Sequence, residues 1–264
     1  MAELTAPRVR LAFDDRGAGS PAFVFVHGFA CDRQAWAPQF DDLSRDHRCI
    51  NVDLRGRGQS EAVAPFDVTT AADDIGALIA QLEAAPAIVV GHSLGGVITL
   101  VLNDRHPEAV LGIVVGDSPL GPAFSERRAP GLPALIREAG SMAPAARMVD
   151  RFWIDATPAE VRAYGSVLMS CPPEVAAGML DGFEDVAGQF AELVRRADQK
   201  PFMAIWAGTP LGDPAWLRES TMFVRQEPIP GTGHFFQLEQ PAITTALLRA
   251  FLDDVAHDPR VPRG

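Results

Sequence analysis

A doubly wound α/β domain, built on one mostly parallel sheet, is what this sequence predicts, and three observations carry the prediction. Short β-branched apolar runs alternate with longer segments of helical period between Ala22 and Val115. The runs are almost continuously apolar, as strands buried on both faces are. The alternation stops after residue 119, gives way to proline-punctuated helical segments, and resumes at Phe202. Residues 1–119 and 200–264 therefore read as one core, and residues 120–199 as an all-helical cap inserted into it.

Val9–Phe13 alternates apolar and polar residues and reads as a strand. Asp14–Gly19 is a turn signal in which Gly17-x-Gly19 imitates a dinucleotide-binding loop; lying between two strands, it reads as a hairpin turn. Ala22–Val26 is a buried strand that ends at His27-Gly28-Phe29. Asp32–Arg45 reads as a helix with Asp32 as its N-cap. Cys49–Val52 is the next strand, followed by the Gly-rich loop Asp53–Ser60. Thr69–Leu82 puts Ile75, Leu78, Ile79 and Leu82 on one helical face, with Asp73 and Asp74 near its start. Ala87–Val90 is a strand, Leu94–Arg105 a helix, and Val110–Val115 a strand ending in Gly116-Asp117-Ser118-Pro119.

In the cap, helices are expected at Leu132–Ala139, Ala145–Ile154, Pro158–Ser170, Pro173–Asp181 and Phe183–Ala197, several opened by proline. Phe202–Trp206 resumes the sheet and Thr221–Val224 reads as its last strand. Pro241–Val255 closes the chain as a helix, and the tail to Gly264 is expected to fray.

Composition narrows the function. At 47% apolar, the 264 residues can bury a large core, yet no apolar run approaches the roughly 18 residues of a membrane span. Met1–Arg10 has no apolar core of a signal peptide. A net charge of −11 argues against nucleic acid and anionic membrane as partners. Cys31, Cys49 and Cys171 are odd in number and lack paired spacing, so reduced thiols in a cytoplasmic protein are expected. No metal-binding or nucleotide-binding motif appears, and neither a metal nor a cofactor is expected.

The chemistry centres on Gly91-His92-Ser93-Leu94-Gly95, which lies between a buried strand and a helix. G-x-S-x-G in that setting is a nucleophile elbow: the serine occupies a sharp turn, and side chains at the flanking glycines would strike backbone. The helix N-terminus below Ser93 favours an anion beside it. A serine hydroxyl needs a base within hydrogen-bond reach. Of six histidines, His47, His106 and His257 lie at helix ends, and His27 and His92 sit inside loop motifs where packing and hydrogen bonding are their expected roles. His234 lies in the Gly-rich stretch Gly231–Phe236.

Together, His27-Gly28, Asp53-x-Arg55-Gly56-x-Gly58-x-Ser60, Gly91-His92-Ser93-Leu94-Gly95-Gly96 and Gly231-x-Gly233-His234-Phe235 occur in an order that resembles the α/β-hydrolase family. The resemblance covers about residues 8–257, and the cap is its least specific part. It implies an α/β-hydrolase fold, with the first three motifs after the third, fourth and fifth strands. It implies His234 as the base, and backbone N–H groups of Phe29 and Leu94 as oxyanion donors. The family most often carries its acid after the strand read here as Phe202–Trp206, where Asp213 comes late. Its alternative place follows the sixth strand, where Asp117 stands at a rigid strand end. Asp117 is preferred as the acid and Asp213 is the alternative. Asp53 and Arg55 read as structural, holding their loop by an ion pair or turn.

Phe29, Trp36, Phe124, Met142, Trp153 and Phe235 are expected to line the substrate pocket, with Met169, Met179 and Phe236 as further apolar candidates. The implied function is cofactor-free hydrolysis of a carboxylic ester or lactone of a small to medium, largely apolar substrate, through an acyl-enzyme on Ser93. Rival chemistries on this scaffold are C–C bond hydrolysis of a ring-fission product, perhydrolysis and cofactor-free dioxygenation. A non-enzymatic ligand receptor stands last, because the Ser, His and Asp set is intact. The partner expected is a small-molecule substrate, with the chain a monomer or homodimer.

Overall fold

The apolar runs pair into one eight-stranded sheet in the order β1-β2-β4-β3-β5-β6-β7-β8. A computed structural model gives these coordinates and describes residues 2–6, 9–122 and 131–261. The strands are β1 (Ala2–Ala6), β2 (Val9–Arg16), β3 (Phe23–Val26), β4 (Cys49–Val52), β5 (Ala87–His92), β6 (Val110–Gly116), β7 (Phe202–Trp206) and β8 (Arg225–Pro228). β1 with β2, and β2 with β4, are antiparallel; every other pair is parallel.

Period-two alternation splits the central strands between two cores. Val24, Val26 and Val89 face one cluster, which also holds Ile75, Leu78 and Ile79 of α2 (Val68–Gln81) and Val97 and Ile98 of α3 (Leu94–Arg105). Phe23, Phe25, Ile88 and Val90 face the other, with Phe40 and Leu43 of α1 (Ala37–Leu43) and Leu248, Phe251 and Val255 of a C-terminal helix, Pro241–His257. Helices on both faces are why these strands carry no polar alternation.

The cap comprises α4 (Leu132–Ala139), α5 (Ala146–Asp150), α6 (Ala159–Arg162), α7 (Gly165–Met169), α8 (Pro173–Ala187) and α9 (Phe190–Ala197), and the described residues between 131 and 199 form no strand. Beyond it lie α10 (Pro214–Ser220), α11 (Phe236–Glu239) and α12, the Pro241–His257 helix. Among the described residues no helix is long and apolar enough to cross a membrane.

Several sequence expectations need correction. Gly17–Gly19 closes no hairpin: β2 pairs with β1 and β4, and β3 with β4 and β5. β1 was not expected, because Ala2-Glu3-Leu4-Thr5-Ala6 has little strand propensity and takes its register from β2 at the sheet edge. The helix expected from Asp32 begins as a 3₁₀ turn, Arg33–Trp36, capped by Asp32, and continues as α1. The last strand is β8, not Thr221–Val224. The amides of Met222 and Phe223 donate to the Asp198 carboxylate, which removes them from the ladder. β8 itself, Arg-Gln-Glu-Pro, is a polar edge strand without an apolar signal.

Three cap boundaries also move. The segments expected at Ala145–Ile154 and Pro158–Ser170 form only the short helices α5, α6 and α7. The break expected near Gly182 falls at Gly188–Gln189, so Gly182 lies inside α8. There it marks close packing: a Cβ would sit 2.7 Å from Asp67 Cβ and from the Val68 nitrogen, at the start of α2. The tail is tied as far as it is described, since Arg260 Nη1 donates to the Asp198 carbonyl at 2.8 Å; Pro262–Gly264 lie outside the described residues.

Gly182→Ala therefore forces α8 away from α2. A loss of about 1–3 kcal/mol in urea unfolding is expected, and an unchanged midpoint would show that the contact has slack.

Candidate active site

In an open parallel sheet, ligands bind beyond the carboxyl ends of the strands, where the strand order reverses. Here β3 leads outward to β4 on one side and β5 to β6 on the other, so the crevice lies between β3 and β5. The loops leaving β3, β5, β6 and β8 carry His27–Phe29, Ser93, Asp117 and His234.

Ser93 caps the start of α3 with φ +54° and ψ −121°. A Cβ on Gly91 would run into the Gly95 carbonyl, and one on Gly95 into the carbonyls of Val26 and His27, so only glycine fits on either side. The Ser93 N–H donates to the Gly116 carbonyl at 2.7 Å, which pins the elbow to the end of β6. Of the four non-glycine residues with positive φ among those described, Ser93, Asp117 (φ 41°) and Ala30 (φ 57°) lie in these loops. Such strain persists only where surrounding structure enforces it, and it concentrates at functional sites.

Asp117 follows Gly116 directly and is 1% exposed. Its Oδ2 accepts from His234 Nδ1 at 2.6 Å. Its Oδ1 accepts from the Leu211 N–H at 3.0 Å and the Ala207 N–H at 3.4 Å. The loop after β7 therefore contributes two N–H groups to Asp117 rather than a carboxylate of its own. Asp213 is instead the N-cap of α10, accepting from the amides of Ala215 and Trp216 at 3.0 Å. With Nδ1–H committed to Asp117, the basic lone pair of His234 is on Nε2.

His234 is held on every side. Its N–H donates to the Phe152 carbonyl and its own carbonyl accepts from His92 Nε2, each at 2.9 Å. Its ring lies between Phe152 and His92, with centroids 4.5 and 4.6 Å away. Nothing in the sequence pointed to Phe152, a cap residue with no motif around it. His92 is the residue before Ser93, so the elbow and the His234 loop are joined one residue from the nucleophile.

His27 and His92 are packing histidines, as expected. His27 Nε2 accepts from the Leu54 N–H at 3.0 Å and Nδ1 donates to the Gly28 carbonyl at 2.9 Å, which fixes a neutral ring. Burial lowers its pKa against the pull of Asp53. Burial, and after it the facing His234 imidazole, holds His92 well below the ordinary value. Asp53 and Arg55 are structural, each with a different partner: Asp53 takes the Arg33 guanidinium and N–H, and Arg55 holds both carboxylate oxygens of Asp74, at 2.6 and 2.7 Å.

Among the described residues, neither the Phe29 nor the Leu94 N–H finds an acceptor. Both residues line a cavity of about 10 Å³ shared with Leu54, Cys171, Val175 and Met179. A groove of about 410 Å³ in the cap is lined by Val149, Trp153, Arg162 and Met169, and Trp153 stacks on Phe235 at 4.9 Å. Three residues expected in the pocket line neither cavity: Trp36 is buried against α1 with its indole N–H on the Val26 carbonyl, and Met142 and Phe235 are buried in the core cluster that holds Val24 and Val26. Phe236 packs beneath β6 against Gly116. Phe124 lies outside the described residues.

The arrangement offers a hydroxyl on a strained turn, an oriented imidazole and, among the described residues, two N–H groups without an acceptor, a set suited to acyl transfer. Comparison with known proteins agrees with the family expectation. A model of the alpha/beta hydrolase family matches residues 23–247. The AB hydrolase superfamily protein YisY of Bacillus subtilis is 37% identical over 136 residues, 51% of this chain and 50% of its own length, so the chain spans about half of that relative. A pimeloyl-[acyl-carrier protein] methyl ester esterase of Shewanella is 30% identical over 213 residues, 76% of this chain and 77% of that protein. A thermophilic esterase from Thermogutta terrifontis, solved with malate bound, superposes with a TM-score of 0.81 at 24% identity, covering 96% of this chain and 98% of that one. At that identity the likeness is one of fold.

Because His27 and His92 are buried neutral, the folded state binds fewer protons than the unfolded state below the ordinary histidine value of 6.5. Their contribution is fully present above 6.5 and is lost as pH falls. The melting temperature is expected to drop between pH 7 and 5, with a shallower slope in His27→Gln; an equal slope would remove His27 from this account.

Proposed function

The chain belongs to the alpha/beta hydrolase family, and within it we propose a cofactor-free serine hydrolase that cleaves a carboxylic ester or lactone of a small to medium, largely apolar substrate. The observation that carries the proposal is the 2.6 Å contact between His234 Nδ1 and Asp117 at the mouth of the sheet that presents Ser93. It fixes the tautomer that a general base needs and stabilises the imidazolium formed when that base accepts a proton.

In the first half-reaction, Ser93 Oγ attacks the acyl carbon and His234 Nε2 takes its proton. The carbonyl electron pair moves to oxygen, where the N–H groups of Phe29 and Leu94 stabilise it. Collapse expels the alcohol, which leaves with the proton from His234. In a lactone that alcohol stays tethered to the acyl group. Water, deprotonated by His234, then attacks the acyl-enzyme, and the acid departs as Ser93 recovers its proton. These residues complete acyl transfer without an added group. One named relative, 30% identical over 213 residues, is a methyl ester esterase.

A fluorophosphonate probe is expected to label Ser93 alone, and Ser93→Ala to abolish both labelling and turnover of p-nitrophenyl esters. Labelling elsewhere, or turnover by the variant, would refute the mechanism. Asp117→Asn should lower kcat by about 10⁴-fold, as a wrong tautomer does. Asp213→Ala should leave kcat nearly unchanged and cost about 1 kcal/mol of stability as a lost N-cap; the reverse pattern would move the acid to Asp213.

A further inference from the structure

Among the described residues three arginines are buried: Arg33, Arg55 and Arg57. Arg33 pairs with Asp14 and Asp53, and Arg55 with Asp74. Arg57, 6% exposed, has no carboxylate within ion-pair distance among the described residues. It donates to carbonyls instead. Nε reaches the Cys31 oxygen at 2.8 Å, and Nη2 reaches the Ala30 oxygen at 2.6 Å and the Val167 oxygen of α7 at 3.3 Å. Burying a guanidinium without a counter-charge is costly, and carbonyl dipoles offset only part of that cost.

Its location gives the cost a purpose. Ala30 and Cys31 directly follow Phe29, and Ala30 is held at φ +57°, a conformation an alanine adopts only under constraint. Arg57 grips the Ala30 and Cys31 carbonyls, one on each side of Cys31, so it braces the bend that directly follows Phe29. It also lines the small apolar cavity with Phe29 and Leu94, where a charge is screened little.

Resting on the acyl-transfer reading of Ser93, we propose that Arg57 is a positioning residue for the oxyanion site. It holds the loop after β3 so that the Phe29 N–H points at the developing negative charge, and it places a guanidinium at the cavity beside that N–H. The cap shares in this through the Val167 carbonyl of α7, so the same side chain ties α7 to the loop that carries the Phe29 N–H.

The test compares wild type, Arg57→Gln and Arg57→Lys in three measurements: kcat and KM for p-nitrophenyl acetate, inhibition by a trifluoromethyl ketone that forms an oxyanion on serine, and fluorophosphonate labelling. Arg57→Gln is expected to lower kcat by about 10²-fold with KM within about threefold, and to weaken the ketone by the same factor as kcat/KM. Arg57→Lys keeps the charge but cannot grip both carbonyls, so it should fall about tenfold in both readouts. If the Gln variant does not fold, the Lys variant decides on the same criteria. A folded variant that is labelled at Ser93, yet keeps kcat and ketone affinity within about twofold, overturns the proposal, as does a raised KM at unchanged kcat. Wild type that fails to label at Ser93 would instead overturn the acyl-transfer reading, and this inference with it.

Discussion

The hydrogen bond from His234 Nδ1 to Asp117 Oδ2 is the interaction on which the rest of the site depends. It joins the ends of β6 and β8, which are not neighbours in the sheet; β7 lies between them. The gap is closed from both directions. Asp117 bends out of its strand at positive φ, and the loop after β7 turns the amides of Ala207 and Leu211 toward its other oxygen. A carboxylate so held stays an acceptor, and an imidazole bonded to it keeps one nitrogen free and basic.

Around that bond the frame is made of groups that do no chemistry. His27 and His92 stay neutral because burial penalises the charged ring by more than the carbonyl that each ring N–H reaches favours it. The cap is part of the frame as well as its roof. The Phe152 ring packs tilted against His234 and its carbonyl accepts the His234 backbone N–H, Tyr164 bonds Asp32 just beyond the Phe29 loop, and Arg57 reaches the cap at Val167. Changes in the cap therefore reach the reacting groups through named hydrogen bonds rather than through bulk packing.

Much of this was legible in the sequence because the signals are local. Ala87–Val90, Gly91–Gly95 and Leu94–Arg105 specify strand, turn and helix within one short stretch, and each glycine there is excluded from being anything else by nearby backbone. Asp117 was legible as a strand-end carboxylate, whereas its companion amides came from a loop that only the fold brings near. Elements lacking an apolar signal were lost: β1 and β8 are edge strands whose pairing comes from a neighbour. Gly182 misled because glycine signals either a break or a close approach, and the difference lies in α2, far away in sequence. Trp36 misled for a related reason: a large apolar residue near a site can equally be core, and its indole found a carbonyl beneath β3.

The account stands or falls on whether the strand ends act as one centre. A crystal structure of the protein carrying a phosphonate adduct measures that most directly. The account predicts phosphorus on Ser93 Oγ, the phosphonyl oxygen about 2.7–3.1 Å from the Phe29 and Leu94 nitrogens, and His234 Nε2 directed at the Ser93 oxygen with Nδ1 still on Asp117. An adduct whose oxygen points away from both amides, or a His234 ring turned from Ser93, would contradict it.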